Sequence, residues 1–125
     1  AEKNFVIIDA AMNDLIRPTL YDAWHEVPPV SQAGPDVARM RADIVGPVCE
    51  SGYFLAKDRD MARVEAGDLI AFGSAGAYGA VQSSAYNSRL LVPEVLVRGD
   101  AFHVIRPRPS YADLLGMDSV PDWFD

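Results

Sequence analysis

"PEVLVRGDAFHVIRPR", Pro93 to Arg108, is the stretch that decides the fold. Val95 to Val97 and Phe102 to Ile105 are β-prone apolar runs, and between them stand Arg98, Gly99 and Asp100. A tight turn flanked by such runs predicts an antiparallel hairpin. Beyond it, Ser110 reads as an N-cap, Leu114 and Leu115 as a helix of one or two turns, and Gly116 as its stop. This ending is expected to form a packed tail.

Working back toward the N-terminus, the turn pair Gly67-Asp68 precedes an apolar strand from Leu69 to Phe72, followed by Gly73, Gly76 and Gly79. That many glycines imply close backbone approach or unusual dihedrals. "NFVIID" near the start and "DVARMRADIVGPV" from Asp36 both read as strands. Between them Pro18 permits a helix only at its first turn, so "NDLIRPTLYDAWHEV" reads as a loop and a short helix. "VPPVSQAGPD" is a surface connection whose prolines cannot sustain a ladder. Short strands spaced by turn signals point to an all-β architecture. The expected form is an antiparallel β-barrel or sandwich, with short helices after residue 17 and near residues 110–116.

At 125 residues, half of them apolar, the chain suits one compact unit with a core. Its 18 acidic side chains against 11 basic give a net charge of −7, which repels phosphate backbones and anionic lipid. Nucleic acid and membrane surfaces are therefore not expected partners. A lone cysteine makes no internal disulfide, and no apolar run approaches the roughly 20 residues that span a bilayer. A cytoplasmic location follows as the expectation. The chain runs straight into a strand at "AEKNFVIID", which is expected of a piece of something longer.

The lone thiol, Cys49, stands in "GPVCESGYFLAKDR" where an apolar run gives way to a Ser-Gly turn. Such edges bring side chains to ligands, although a lone cysteine is more commonly a small buried hydrophobe. The carboxylate of Glu50 beside it disfavours a thiolate, so a proton-donating thiol is the better chemical reading than a nucleophile. Arg17 and Tyr21 are four residues apart, and on a helix they can share a face and bracket a carboxylate. A solvated pair is the ordinary alternative. Tyr78, set among Ala and Gly, can project its phenol toward a ligand, though a packed tyrosine is the commoner fate. His25 and His103 have no partners at ligand spacing, and neither a metal site nor a Ser-His-Asp triad finds support. The glycines of "FGSAGAYGA" match no nucleotide-binding fingerprint.

Together, "DAAMNDLIRPTLY", "GPVCESG", "AGDLIAF", "GAYGA" and "YNSRLLVPEVLV", in this order, resemble the carboxy-terminal domain of the diaminopimelate decarboxylases. The resemblance covers nearly the whole chain. It implies a β-barrel following an amino-terminal (β/α)8 barrel that carries the pyridoxal 5′-phosphate lysine and is absent here, in a homodimer that makes L-lysine from meso-diaminopimelate. By motif, Arg17 and Tyr21 would bind the distal carboxylate of the substrate and Glu50 its distal ammonium. Cys49 would protonate the α-carbon across the dimer, and Tyr78 would lie against the cofactor. The family usually reads "CESGD" where this chain has Tyr53. The only lysines, Lys3 and Lys57, fit no cofactor-anchoring pattern, so the isolated piece is expected to be inactive. Two further readings stay open: a related decarboxylase of ornithine, arginine or carboxynorspermidine, and a non-catalytic β-barrel interaction module.

Overall fold

A computed structural model of the chain describes residues 3–31 and 34–124. Two compact units, Ala1–Ser83 and Ser84–Asp125, divide it. The first is built on a three-stranded sheet in the order β1 (Asn4–Ile7), β2 (Arg39–Val45), β3 (Phe54–Ala62). β2 and β3 are antiparallel, and β1 lies parallel to β2. The parallel pair corrects the all-antiparallel expectation. Its cause is the long connection over 8–38, which contains helix α1 (Arg17–Tyr21) and returns the chain to the end of the sheet from which β1 began. The sheet is open, with β1 and β3 as its edges, and no closed barrel forms among the described residues.

Ala42 and Ile44 of β2, with Ala56 and Met61 of β3, form the buried core, against which Val6, Ile8, Val27 and Phe72 pack. Strand β3, the longest, carries no clean alternation because bulges interrupt its register beside Asp43 and again before Val45. At the first bulge Asp58 takes a left-handed φ of 52°, and its freed N–H donates to the buried Asp43 carboxylate at 2.8 Å. Lys3 Nζ approaches the other oxygen of that carboxylate to 2.6 Å. Burial pushes the Asp43 carboxyl up, but the Lys3 and Asp58 contacts outweigh it, and the net position is below the ordinary carboxylate value. A depressed folded-state value contributes stability above the unfolded pKa of about 4 and loses it as pH falls through the folded value. Asp43→Asn is therefore expected to lower the urea midpoint at pH 7 and to flatten its decline in acid. An equal acid decline in both proteins would exclude Asp43 as a source of that decline.

The segment Leu69–Phe72 forms a single bridge, Pro29 to Ile70, rather than a strand. Val30 N–H donates to Leu69 O, Ala71 N–H to Pro28 O and Gly73 N–H to Glu26 O, but Pro28 and Pro29 supply no donors, so the ladder is broken. The glycine stretch also differs from expectation. A Cβ at Gly76 or Gly79 would meet nothing within 4 Å among the described residues, and the left-handed dihedrals there belong to Ser74 (φ 53°) and Tyr78 (φ 65°). Helix α2 (Gly79–Gln82) follows directly, where no helix was apparent from the sequence.

In the second unit, β4 (Glu94–Arg98) and β5 (Ala101–Arg106) form the expected hairpin, turned at Gly99 with φ 57°. Glu94 pairs with Arg106 at 2.7 Å across it. Helix α3 (Tyr111–Leu115) is closed at its N-terminus by a capping box between Ser110 and Asp113 and ends at Gly116. The expectation of a packed tail is not met: Leu115, Met117 and Trp123 are exposed. A five-residue helix has too few turns to bury a stripe without a partner surface.

Candidate active site

Helix α1 starts where the sequence requires. Pro18 occupies its first turn, where a missing N–H costs nothing, and is buried; Asp22 ends it in a left-handed conformation. This short helix sets Arg17 and Tyr21 on one side of the first unit. The Arg17 guanidinium carbon lies 5.9 Å from the centroid of the Tyr78 ring, inside the range of a cation–π contact. Tyr21 Oη accepts a long hydrogen bond from Gln82 Nε2 at 3.4 Å. Arg17, Tyr21 and Tyr78 are thus brought together, with Gln82 as a fourth member. Gln82 sits in an unremarkable "AVQSS" run, and no signal in the sequence distinguished it.

Tyr78 caps α2 from a left-handed backbone, with its side chain exposed. A β-carbon-bearing residue in that region is strained by about 1 kcal/mol or more. The strain aims an exposed phenol beside Arg17. Gly76 and Gly79 leave open space around it, so another surface can approach closely.

Cys49 and Glu50 occupy the loop between β2 and β3. Cys49 is exposed, which rules out the buried-hydrophobe alternative in this structure. It lines a surface hollow of about 440 Å3 with Val48, Glu50, Ser51, Tyr53 and Phe54. Glu50 is half-buried, and its Oε2 accepts the Gly52 N–H at 3.0 Å, which closes the turn and fixes the carboxylate. Tyr53 is buried beneath the loop at 3 % exposure, and a Cβ at Gly46 would come within 2.8 Å of its ring. At the departure from "CESGD", this chain thus places a buried ring at the floor of the Cys49–Glu50 hollow. A larger hollow of about 620 Å3, beside Trp24, Arg39 and Arg59, contains none of the candidate residues.

Thr19 joins the two groups. It lies two residues after Arg17 on α1, facing the opposite side of the helix from Arg17 and Tyr21, and its hydroxyl donates to Gly52 O at 2.6 Å. Helix α1 is therefore tied to the Cys49–Glu50 loop by one short bond. Neither lysine is placed as an anchor: Lys3 pairs with Asp43, and Lys57 Nζ lies 3.5 Å from the centroid of the Phe54 ring.

Comparison with known proteins identifies the family. Residues 1–76 match the family described as pyridoxal-dependent decarboxylase, C-terminal sheet domain. Diaminopimelate decarboxylase of Zymomonas mobilis is 54% identical over 119 residues, which is 95% of this chain and 28% of that protein. The enzyme of the same name from Pseudomonas aeruginosa is 54% identical over 118 residues, again 28% of its length. The crystal structure of diaminopimelate decarboxylase from Helicobacter pylori complexed with L-lysine superposes with a TM-score of 0.83 at 41% identity, over 92% of this chain and 28% of that one. The chain thus spans a little over a quarter of the relatives it matches. Matched over residues 1–76, more than half its length, the chain belongs to the pyridoxal-dependent decarboxylases as their C-terminal sheet domain.

Proposed function

We propose that this chain is the carboxy-terminal domain of a diaminopimelate decarboxylase, which converts meso-2,6-diaminopimelate to L-lysine and CO2 in the cytoplasm. The observation that carries the proposal is the Thr19–Gly52 bond, which ties the helix bearing Arg17 to the loop bearing Glu50. A substrate whose far end bears both a carboxylate and an ammonium needs that pair. The L-lysine in the Helicobacter pylori relative is the product this reaction would give.

In this reading Arg17 and Tyr21 bind the distal carboxylate, the guanidinium through a planar fork that suits it. Glu50 takes the distal ammonium, and an amino acid lacking that group would leave a desolvated carboxylate unpaired. Cys49 holds the proton for the α-carbon. Pyridoxal phosphate, when bound, supplies the electron sink for breaking the bond to the carboxylate. The chain fits that group as one wall: Tyr78 offers an exposed phenol beside open glycines, while both lysines are otherwise engaged. The anchoring lysine and most phosphate contacts belong to an amino-terminal (β/α)8 barrel, and the site is completed across a homodimer. Closure of the open sheet into a β-barrel is part of the same reading, since β1 and β3 leave edges that the complete protein must cover.

The test is to produce the chain alone and together with the barrel domain, and to measure CO2 release from meso-diaminopimelate. The chain alone is expected to be inactive and the assembled protein active. A correctly assembled pair without activity on this substrate would overturn the proposal.

A further inference from the structure

Gly52 is the point at which the two halves of the candidate site meet. Its N–H donates to Glu50 Oε2 at 3.0 Å, and its carbonyl accepts from Thr19 Oγ1 at 2.6 Å. The Thr19 hydroxyl has a second, longer acceptor in Phe54 O at 3.4 Å. A Cβ on Gly52 would lie 2.8 Å from Met12 Sδ, 2.9 Å from Thr19 Cγ2 and 3.0 Å from Glu50 Oε2, so the peptide is enclosed on three sides. Its orientation therefore follows Thr19, and the Glu50 carboxylate follows its orientation. Thr19 is suited to this, because a β-branched side chain is stiff at χ1.

We propose that Thr19 is a positioning residue that determines specificity. Through the Gly52 peptide it sets the Glu50 carboxylate at a fixed offset from Arg17, two residues before it on α1, so that the ammonium and carboxylate of one substrate end are read together. This rests on the diaminopimelate reading above. It adds that discrimination for the distal ammonium resides in a hydroxyl that touches no substrate.

The experiment uses the full-length, cofactor-loaded enzyme that carries this chain. It compares kcat/KM for meso-diaminopimelate with that for 2-aminopimelate, the same skeleton with hydrogen in place of the distal ammonium. The unaltered enzyme should favour the former by a factor on the order of 10^4, as expected where a desolvated polar group is otherwise left unpaired. Thr19→Val keeps the volume and removes the hydroxyl. It should lower that ratio by about tenfold, corresponding to the loss of one such hydrogen bond. Thr19→Ser should keep the ratio within about twofold, because the donor remains. In a Glu50→Gln background, Thr19→Val should lower the ratio no further, since the two act in series. If Thr19→Val does not accumulate as folded protein, Thr19→Ala gives the same reading.

A merely structural role would slow both substrates equally. An unchanged ratio in Thr19→Val, or a further fall in the Glu50→Gln background, overturns the inference while leaving the diaminopimelate assignment intact. An unaltered enzyme that does not turn over meso-diaminopimelate overturns both.

Discussion

Replacing Cys49 by alanine in the complete enzyme is expected to lower kcat by at least about 100-fold, the lower end of the range for loss of a positioned general acid. The thiol is exposed on the β2–β3 loop, beside the carboxylate assigned to the distal ammonium. It can therefore face a reacting carbon that another part of the protein presents. In the proposed reaction the bond to the departing carboxylate breaks, CO2 leaves and the bonding electron pair stays behind. The Sγ proton then completes the α-carbon, and the thiolate recovers a proton from water. Because Cys49 touches neither charged group at the far end of the substrate, KM should stay within about threefold. Cys49→Ser, a much weaker acid at the same place, should fall between the two. A loss of well under tenfold in kcat for Cys49→Ala would leave the cysteine without a catalytic part and would favour a different proton source.

The parts of the fold that were legible in advance are those set by local chemistry. Gly99 marks the hairpin because a tight loop needs a left-handed residue, and Ser110 marks α3 because its hydroxyl satisfies a free N–H. Pro18 delimits α1 for the same kind of reason. What escaped notice depends on distant partners. β1 runs parallel to β2 because of a long connection, a property that no window of residues contains. β3 lacks alternation because Asp43, far away in the sequence, supplies the acceptor that makes its bulge affordable. Close packing occurs at Gly46 and Gly52, not in the glycine-rich run, since crowding depends on what folds against a residue. Among the candidate site residues, Arg17, Tyr21, Cys49, Glu50 and Tyr78 were legible as reactive types in motifs. Thr19 and Gln82 were not, because their parts exist only as contacts with Gly52 and Tyr21.

Arg17→Ala should reduce kcat/KM for meso-diaminopimelate by about 100-fold, mostly through KM, as expected for removal of a desolvated charge-assisted pair. Arg17→Lys should recover only part of this, because an ammonium cannot reproduce the planar two-point contact. The alternative explanation is that Arg17 serves the cofactor wall, since its guanidinium lies 5.9 Å from the Tyr78 ring centroid. The two explanations separate cleanly. If Arg17 supports Tyr78, its loss weakens retention of pyridoxal phosphate and slows every amino acid alike. If it binds the distal carboxylate, cofactor retention is unchanged and only substrates with a far carboxylate suffer. The second outcome is expected, because a cation–π contact near the limit of its range contributes about 0.5 kcal/mol at an exposed ring. The same variant also separates substrate classes: an enzyme for ornithine or arginine, whose far ends are purely cationic, would not be impaired by removing a cation. Full activity of Arg17→Ala on its best substrate would therefore exclude the two-headed amino acid as that substrate.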